Sequence, residues 1–422
     1  MIQSTNSANT GALGALVRIG PLKRGIIRLI EAIARPVISV LDGLKPSKEP
    51  AEEVRKILVM EYWNLGDVVM QTPFLINLRN QYPNAHIVLL TSPKVLPLID
   101  HQNLVDETIE LRVPWAQHYS RWRKYNPFSP LWLSLYRILR LLRQRRFDLA
   151  FTVRADLRDN FILWFINARR RVGYAFGGGG LFLTDMVEPD LRNPHFSNRW
   201  LRLLQHLGKP IRERQLRLNV SEEELQVSKI LLEARGFNSG DFLVGVHPGA
   251  RSVNRQWGEA NFAEVAQRLV EQFPVKIIWF QEPGQHAPPP AGNKVVPLSL
   301  PLREFMAVLS QCSVFLCNDS GPMHIATALN VPVVAVFGPT EPAWFGPLGP
   351  QDQIVIRPGF WCRPCFDYCL FDQPYCLRTI SVQDVYQTTH KMLDLLITSS
   401  SSPKVGMMKT APSIQSAILI KN

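Results

Sequence analysis

Between residue 56 and about residue 390 the chain alternates short apolar runs with longer stretches of helical period. Runs at 57–60, 86–90, 147–153, 242–246, 275–280, 314–317 and 331–337 are bounded by turn residues and are too short for helices, so they predict strands buried on both faces. Between them lie predicted helices over 67–82, 131–146, 222–236, 261–273 and 322–329. This order predicts an α/β chain of parallel sheets covered by helices on both faces. Ser221 with Glu224 three residues on is a capping box. A linker near 210–220 would separate two doubly wound domains, 55–214 and 215–397.

The flanks break this pattern. Residues 1–54 start Ser/Asn/Gly-rich, then interleave Lys23, Arg24, Arg28 and Arg35 with Ile26, Ile27, Leu29, Ile30 and Ile33, and continue to Pro46 and Pro50. Two readings fit: a basic amphipathic helix on a membrane surface, or a helix packed on its own domain. Residues 398–422 lack periodicity and are expected to form a mobile tail. The 131–146 helix puts Leu131, Leu135, Ile138 and Leu142 on one face and Arg137, Arg140, Arg143, Arg145 and Arg146 on the other. The basic face is either simply solvated or in contact with anionic lipid or a phosphorylated acceptor. The glycines at 177–180 follow no strand and open no helix, so they are not a phosphate loop.

Composition narrows the function. With 422 residues, 46% hydrophobic and 19% charged, the chain is globular and long enough for two cores. A net charge of +12 implies an anionic partner. No zinc-finger, RNP or helix-turn-helix pattern supports nucleic acid in that role. There is no apolar run of about 18 residues and no signal-like start, so a cytoplasmic protein is expected. Cys312 and Cys317 flank an apolar run and read as reduced core residues. Cys362, Cys365, Cys369 and Cys376, with gaps of two, three and six residues, read as packing cysteines or as a zinc site.

Ligands of doubly wound sheets bind beyond the carboxyl ends of strands, which directs attention to three loops. After 57–60 come Asn64, Gly66 and Asp67, with Gly66 read as a tight turn and Asp67 as either a helix N-cap or a base for an acceptor hydroxyl. After 242–246 come His247, Gly249, Arg251, Ser252 and Arg255, suited to a diphosphate because arginine bonds two phosphate oxygens at once. After 314–317 come Asp319, Ser320, Gly321, Pro322 and His324, where the opening amides of a helix form an anion-binding end. Asp319 itself is expected to meet sugar hydroxyls or to orient the loop.

Gly66-Asp67-Val68-Val69 ending in Thr72-Pro73, His247-Pro248-Gly249-Ala250 ending in Trp257, and Asn318-Asp319-Ser320-Gly321-Pro322-Met323-His324 ending in Phe337-Gly338-Pro339-Thr340 resemble the signature blocks of glycosyltransferase family 9, which includes the ADP-heptose:lipopolysaccharide heptosyltransferases. The resemblance covers about 55–390. It implies a GT-B fold, two Rossmann-like domains facing a cleft and closing on substrate, and inversion at the anomeric carbon with no metal or other cofactor. It makes Asp67 the general base, with Asn64 and Gly66 on the acceptor side. Donor contacts would come from His247, Gly249, Arg251, Ser252, Arg255, Glu282, Asp319, Ser320, Gly321 and His324. The implied donor is a nucleotide sugar, ADP-heptose, and the implied acceptor an anionic glycolipid at the cytoplasmic face of the inner membrane, met by peripheral contact.

One stretch departs from the family pattern. After 275–280 the chain reads Gln281, Glu282, Pro283, Gly284, Gln285, His286 and, past Ala287, three prolines, where many members have a Gly-rich acidic turn. A sugar-nucleotide epimerase on the same architecture and a non-catalytic module binding nucleotide sugar or glycolipid are the alternatives.

Overall fold

The structure is a computed structural model that describes residues 21–43, 53–116, 126, 128–282, 294–401 and 418–419. Pro46, Pro50 and the stretch from Pro283 through the three prolines lie outside them. Two compact units divide the chain at Arg214 and Gln215.

The first unit holds one sheet of six parallel strands: β1 (Lys56–Met60), β2 (His86–Thr91), β3 (Glu107–Glu110), β4 (Leu149–Thr152), β5 (Arg170–Gly173) and β6 (Asp185–Met186). Their order is β3-β2-β1-β4-β5-β6. The second unit repeats the plan with β7 (Phe242–His247), β8 (Val275–Phe280), β9 (Val295–Leu298), β10 (Val314–Asn318), β11 (Val333–Phe337), β12 (Gln353–Ile356) and β13 (Ile418–Leu419), in the order β9-β8-β7-β10-β11-β12-β13, also parallel. In both sheets the winding reverses beside the first strand, between β1 and β4 and between β7 and β10. These are the switch points where a parallel sheet opens a crevice. Two consecutive Rossmann-type units are the domain composition of the GT-B fold.

The helices of five or more described residues in the first unit are α1 (Pro21–Gly43), α2 (Leu65–Val69), α3 (Thr72–Gln81), α4 (Pro130–Gln144), α5 (Leu157–Ile166) and α6 (Phe196–His206). Those of the second are α7 (Glu222–Ala234), α8 (Glu259–Gln272), α9 (Leu302–Leu309), α10 (Gly321–Ala328) and α11 (Val382–Ser401). On one face of the first sheet, Leu58, Met60, Val88 and Leu90 pack against Leu139 and Leu142 of α4 and Ile162 and Leu163 of α5. Phe74 of α3 joins Phe151 of β4 and Trp200 of α6, with ring centres 5.3 and 5.0 Å apart. In the second sheet, Val246, Trp279, Leu316 and Val336 lie in one core with Phe262 and Leu269 of α8 and Val385 and Leu393 of α11. A Cβ on Gly245 of β7 would come within 2.9 Å of Phe315 and 3.0 Å of Phe280, so those rings close over the strand only because glycine stands there.

Three expectations change. The helix over 67–82 is two helices, α2 and α3, parted at Met70 and Gln71. Pro73 has no amide to donate within a continuous helix but fits the first turn of a new one. Gly66 makes no tight turn; it is buried inside α2. The segment after 398 is structured in part, since α11 runs to Ser401 and Ile418 and Leu419 pair with Val355 and Ile356 of β12.

Candidate active site

At the carboxyl end of the first sheet, β1 and β4 are hydrogen-bonded neighbours with Met60 opposite Thr152. The residues just beyond them, Glu61 and Arg154, are therefore brought together from 93 positions apart in sequence. One Arg154 nitrogen, Nη2, lies 3.0 Å from Glu61 Oε1 and 2.9 Å from Asp67 Oδ1. The guanidinium sits over the rings of Trp63, at 5.2 Å, and Phe196, at 4.7 Å, so it is held in a plane as well as by charge.

Asp67 is not the helix N-cap. Asn64, in extended conformation, takes that place, and Asp67 is the third helical residue. Its Oδ2 accepts from the Asn64 backbone amide and from Asn64 Nδ2, each at 3.1 Å. Burial pushes the Asp67 pKa up, but Arg154 and the Asn64 bonds outweigh burial and hold it below the usual aspartate value. Asp67 is thus ionised at neutral pH, and 12% of its side chain remains accessible. Glu61 is fully buried, and burial lifts its pKa to about 7 against the pull of Arg154. Behind this group, the Tyr62 hydroxyl donates to Asp159 and accepts from Trp115 Nε1 at 3.0 Å. Burial, then repulsion from Asp156, raises Asp159 to about 7.

In the second unit, Asn318 ends β10 and ties two loops together. Its Oδ1 accepts from the Trp257 amide at 3.0 Å and its Nδ2 donates to the Pro248 carbonyl at 2.6 Å. Trp257 anchors the far side of its loop by donating Nε1–H to the Ile380 carbonyl at 2.9 Å. Between these ties the chain forms a short 3-10 turn, Val253–Arg255, capped by Ser252, whose hydroxyl accepts from the Asn254 amide. That turn aims Arg255 at Asp319, 3.3 Å away, and Asp319 also accepts from the Thr340 hydroxyl at 2.6 Å. Burial raises the Asp319 pKa even so. Asp319 thus ties Arg255 to Thr340, across two loops of the unit.

Arg251 pairs with Asp367, and Arg255 Nε lies 2.9 Å from the same carboxylate. Asp367 belongs to the cysteine-rich segment, which rests on the loops after β7 and β11: the Cys365 and Phe366 amides donate to the Pro339 carbonyl and Asn254 Nδ2 donates to the Asp367 carbonyl. A Cβ on Gly338 would meet Leu377 at 2.9 Å, so this packing needs the glycine of the Phe337-Gly338-Pro339-Thr340 block. Cys362, Cys365, Cys369 and Cys376 are free thiols, with Cys365 and Cys376 buried. Among the described residues no three His, Cys, Asp or Glu side chains converge as metal ligands.

The other expected donor residues occupy the same strand ends. His247 is the last residue of β7 rather than part of a loop, lies opposite Cys317, and is pushed by burial down to about 4, so its ring is neutral at neutral pH. Gly249 is buried, with its carbonyl 3.4 Å from Asn318 Nδ2. Ser320 is the N-cap of α10 but makes no side-chain cap bond, and its buried Oγ has no hydrogen-bond partner among the described residues. Gly321 opens α10 and His324 is buried one turn along it. Arg251, Arg255 and Asp319 are thereby gathered, whereas Glu282 stands exposed two residues past β8, bordering undescribed residues. A concavity of about 430 Å³ lined by Glu53, Gln81, Asp148 and Arg170 lies at the opposite, amino end of the first sheet, away from these groups.

Sequence reasoning passed over Arg154, Glu61, Asn318, Thr340 and Asp367. Arg154 had a usable signal, because it directly follows the predicted strand over 147–153. Asp367 had none beyond its place among the cysteines.

Comparison with known proteins agrees with this fold. The model of glycosyltransferase family 9 (heptosyltransferase) matches residues 135–375. Lipopolysaccharide heptosyltransferase 2 of Salmonella typhimurium is 23% identical over 325 residues, covering 71% of this chain and 87% of that protein. Among solved structures, a family 9 glycosyltransferase from Veillonella parvula aligns with a TM-score of 0.62 at 21% identity, over 83% of this chain and all of its own. The E. coli ADP-heptose lps heptosyltransferase II aligns with a TM-score of 0.61 at 20% identity, over 82% of this chain and all of its own. With the family model spanning more than half of the sequence, and with a buffered carboxylate in one Rossmann unit and an arginine cradle at strand ends of the other, the chain belongs to glycosyltransferase family 9 and is a glycosyltransferase.

Proposed function

We propose that this glycosyltransferase moves heptose from ADP-heptose, with inversion and without a metal, onto a hydroxyl of a lipopolysaccharide-like glycolipid. The donor is taken from the E. coli relative, whose name includes ADP-heptose, and the acceptor class from the lipopolysaccharide heptosyltransferase of Salmonella. The observation that carries the reading is the state of Asp67: ionised, fixed by Arg154 and Asn64, and partly accessible.

In this mechanism Asp67 accepts the proton of the acceptor hydroxyl while that oxygen bonds to the anomeric carbon and the bond from that carbon to the diphosphate breaks. A carboxylate with a lowered pKa is a weak base. It therefore takes the proton late, once bond formation has made the hydroxyl acidic. The departing ADP carries the negative charge, which Arg251, Arg255 and the opening amides of α10 stabilise. Ser320 Oγ is a further donor to the phosphate oxygens.

The test is turnover with a panel of nucleotide sugars and extracted membrane glycolipid, preceded by thermal shift for each donor. ADP-heptose should raise Tm and give glycosylated lipid plus ADP. Epimerised donor without acceptor would select the epimerase alternative, and binding without any product would select the non-catalytic module.

A further inference from the structure

α1 meets the first unit along one stripe and leaves a second stripe bare. Ile27, Glu31, Ala34 and Ile38, spaced by three and four residues, are partly covered. A Cβ on Gly178 would come within 2.6 Å of Ile27, and Glu31 accepts from the Gly179 amide, so the glycine loop is the seat of this helix. The second stripe, Ile26, Leu29, Ile30, Ile33, Val37 and Val40, is exposed throughout, with Leu29 at 63% and Ile33 at 69%. Arg28 and Arg35 occupy the remaining sector and are also exposed. An amphipathic helix on a globular domain turns its apolar face to the core. α1 turns it outward.

The glycine loop that seats α1 connects with α4. Next to the glycine loop, Phe182 packs on Phe161 and Trp164, Phe161 on Phe165, and Phe165 on Tyr136 of α4, with Arg143 of α4 over the Phe165 ring. The outer side of α4 exposes Leu133 and Leu141 together with Arg137 and Arg140. We infer that α1 and the outer side of α4 form one docking surface for an anionic phospholipid monolayer, with α1 lying in the plane of the interface.

Three observations favour lipid. No described helix is long and apolar enough to cross a membrane, and α1 carries charges along its length, so it lies on a bilayer rather than spanning it. On α4, Arg137 and Arg140 sit beside the exposed Leu133 and Leu141, the arrangement that attracts anionic headgroups while apolar groups enter the acyl boundary. Pairing with a second copy is disfavoured, because two chains of net charge +12 repel each other while an anionic surface attracts each of them. The inference rests on the helix faces and stands apart from the identity of the sugar.

The experiment is flotation of the full chain with vesicles of equal parts phosphatidylethanolamine and phosphatidylglycerol. The wild-type chain should float with these vesicles and bind phosphatidylcholine vesicles less. L29S/I33S/V37S should weaken partition about tenfold or more, and R137Q/R140Q should remove part of the salt-sensitive binding. These residues are exposed, so both variants should keep the wild-type Tm and donor-induced thermal shift. Unchanged flotation of both variants overturns the inference. So does a dimer in sedimentation that the triple substitution converts to monomer while neither protein binds vesicles. Vesicle binding persists even where no donor is turned over, so failure of the transfer reading remains separately visible.

Discussion

The first unit sets one guanidinium between two carboxylates, Arg154 between Glu61 and Asp67, whereas the second sets two guanidinia against two carboxylates, Arg251 and Arg255 against Asp367 and Asp319. The first arrangement is nearly closed. Glu61 is fully buried, aromatic rings cover the arginine, and the charge state of Asp67 is fixed by groups that have nowhere to go. The second is half open. Asp319 is buried and tied to Thr340, but Asp367 is 28% exposed and comes from a separate segment. A closed cluster keeps its charge partners in place, and an open one leaves cations whose partner a diphosphate can replace.

The largest effect should come from breaking the function of each cluster separately. Asp67→Asn removes the proton acceptor and should lower kcat by roughly 10²- to 10⁴-fold while leaving the donor-induced thermal shift unchanged. Arg255→Ala should raise the donor KM by roughly 10- to 100-fold and weaken the donor-induced thermal shift, the cost of losing charge-assisted bonds to phosphate, besides lowering kcat through the departing diphosphate. If steady-state kinetics and thermal shift gave the same pattern for both variants, the assignment of different tasks to the two clusters would be wrong.

A smaller effect probes the closed cluster through pH. Glu61 is protonated in the fold at mildly acid pH and ionises as pH passes about 7. Once ionised it competes with Asp67 for Arg154, which makes Asp67 a stronger base, so turnover should climb severalfold through that range. Stability moves the other way. The raised pKa contributes stability that is fully present below the unfolded value of 4.5 and is lost as pH rises through about 7. Glu61→Gln should flatten both trends in kcat and in Tm. Asp159 also titrates near 7, so a slope that survives unchanged in Glu61→Gln would reassign the effect to the Tyr62–Asp159 pair.

The difference between the clusters also explains how much the sequence disclosed. β1, β7, β8 and β10 were legible because strands covered on both faces are written as uninterrupted apolar runs, and the position of Asp67, Arg255 and Asp319 followed from the strand ends. The capping arrangement was present as Asn64 and Asp67 three residues apart, yet a glycine between them suggested a turn that the buried, helical Gly66 does not make. Arg154 and Asp367 were harder for one reason: their partners lie 87 and 112 or more positions away, at Asp67 and at Arg255 and Arg251, and charge pairing has no periodicity to betray it. The outward stripe of α1 was visible as a pattern, but which way it faced depended on the glycine loop at Gly178.

The smallest expected effect tests whether the open cluster is open by design. Asp367 neutralises the same two arginines that a diphosphate needs, and its segment is held independently of its carboxylate by backbone bonds from Cys365 and Phe366 to Pro339 and by Asn254 on its own carbonyl. Asp367→Asn should therefore keep the loop in place while removing the charge that the donor must displace. Because the ion pair is partly exposed, its loss should improve donor affinity only about two- to fivefold, measured by calorimetry at low salt, and the gain should shrink as salt screens the cradle. Weaker binding in Asp367→Asn would mean the carboxylate contacts the nucleotide sugar directly, and the second cluster would then depend on its acids no less than the first.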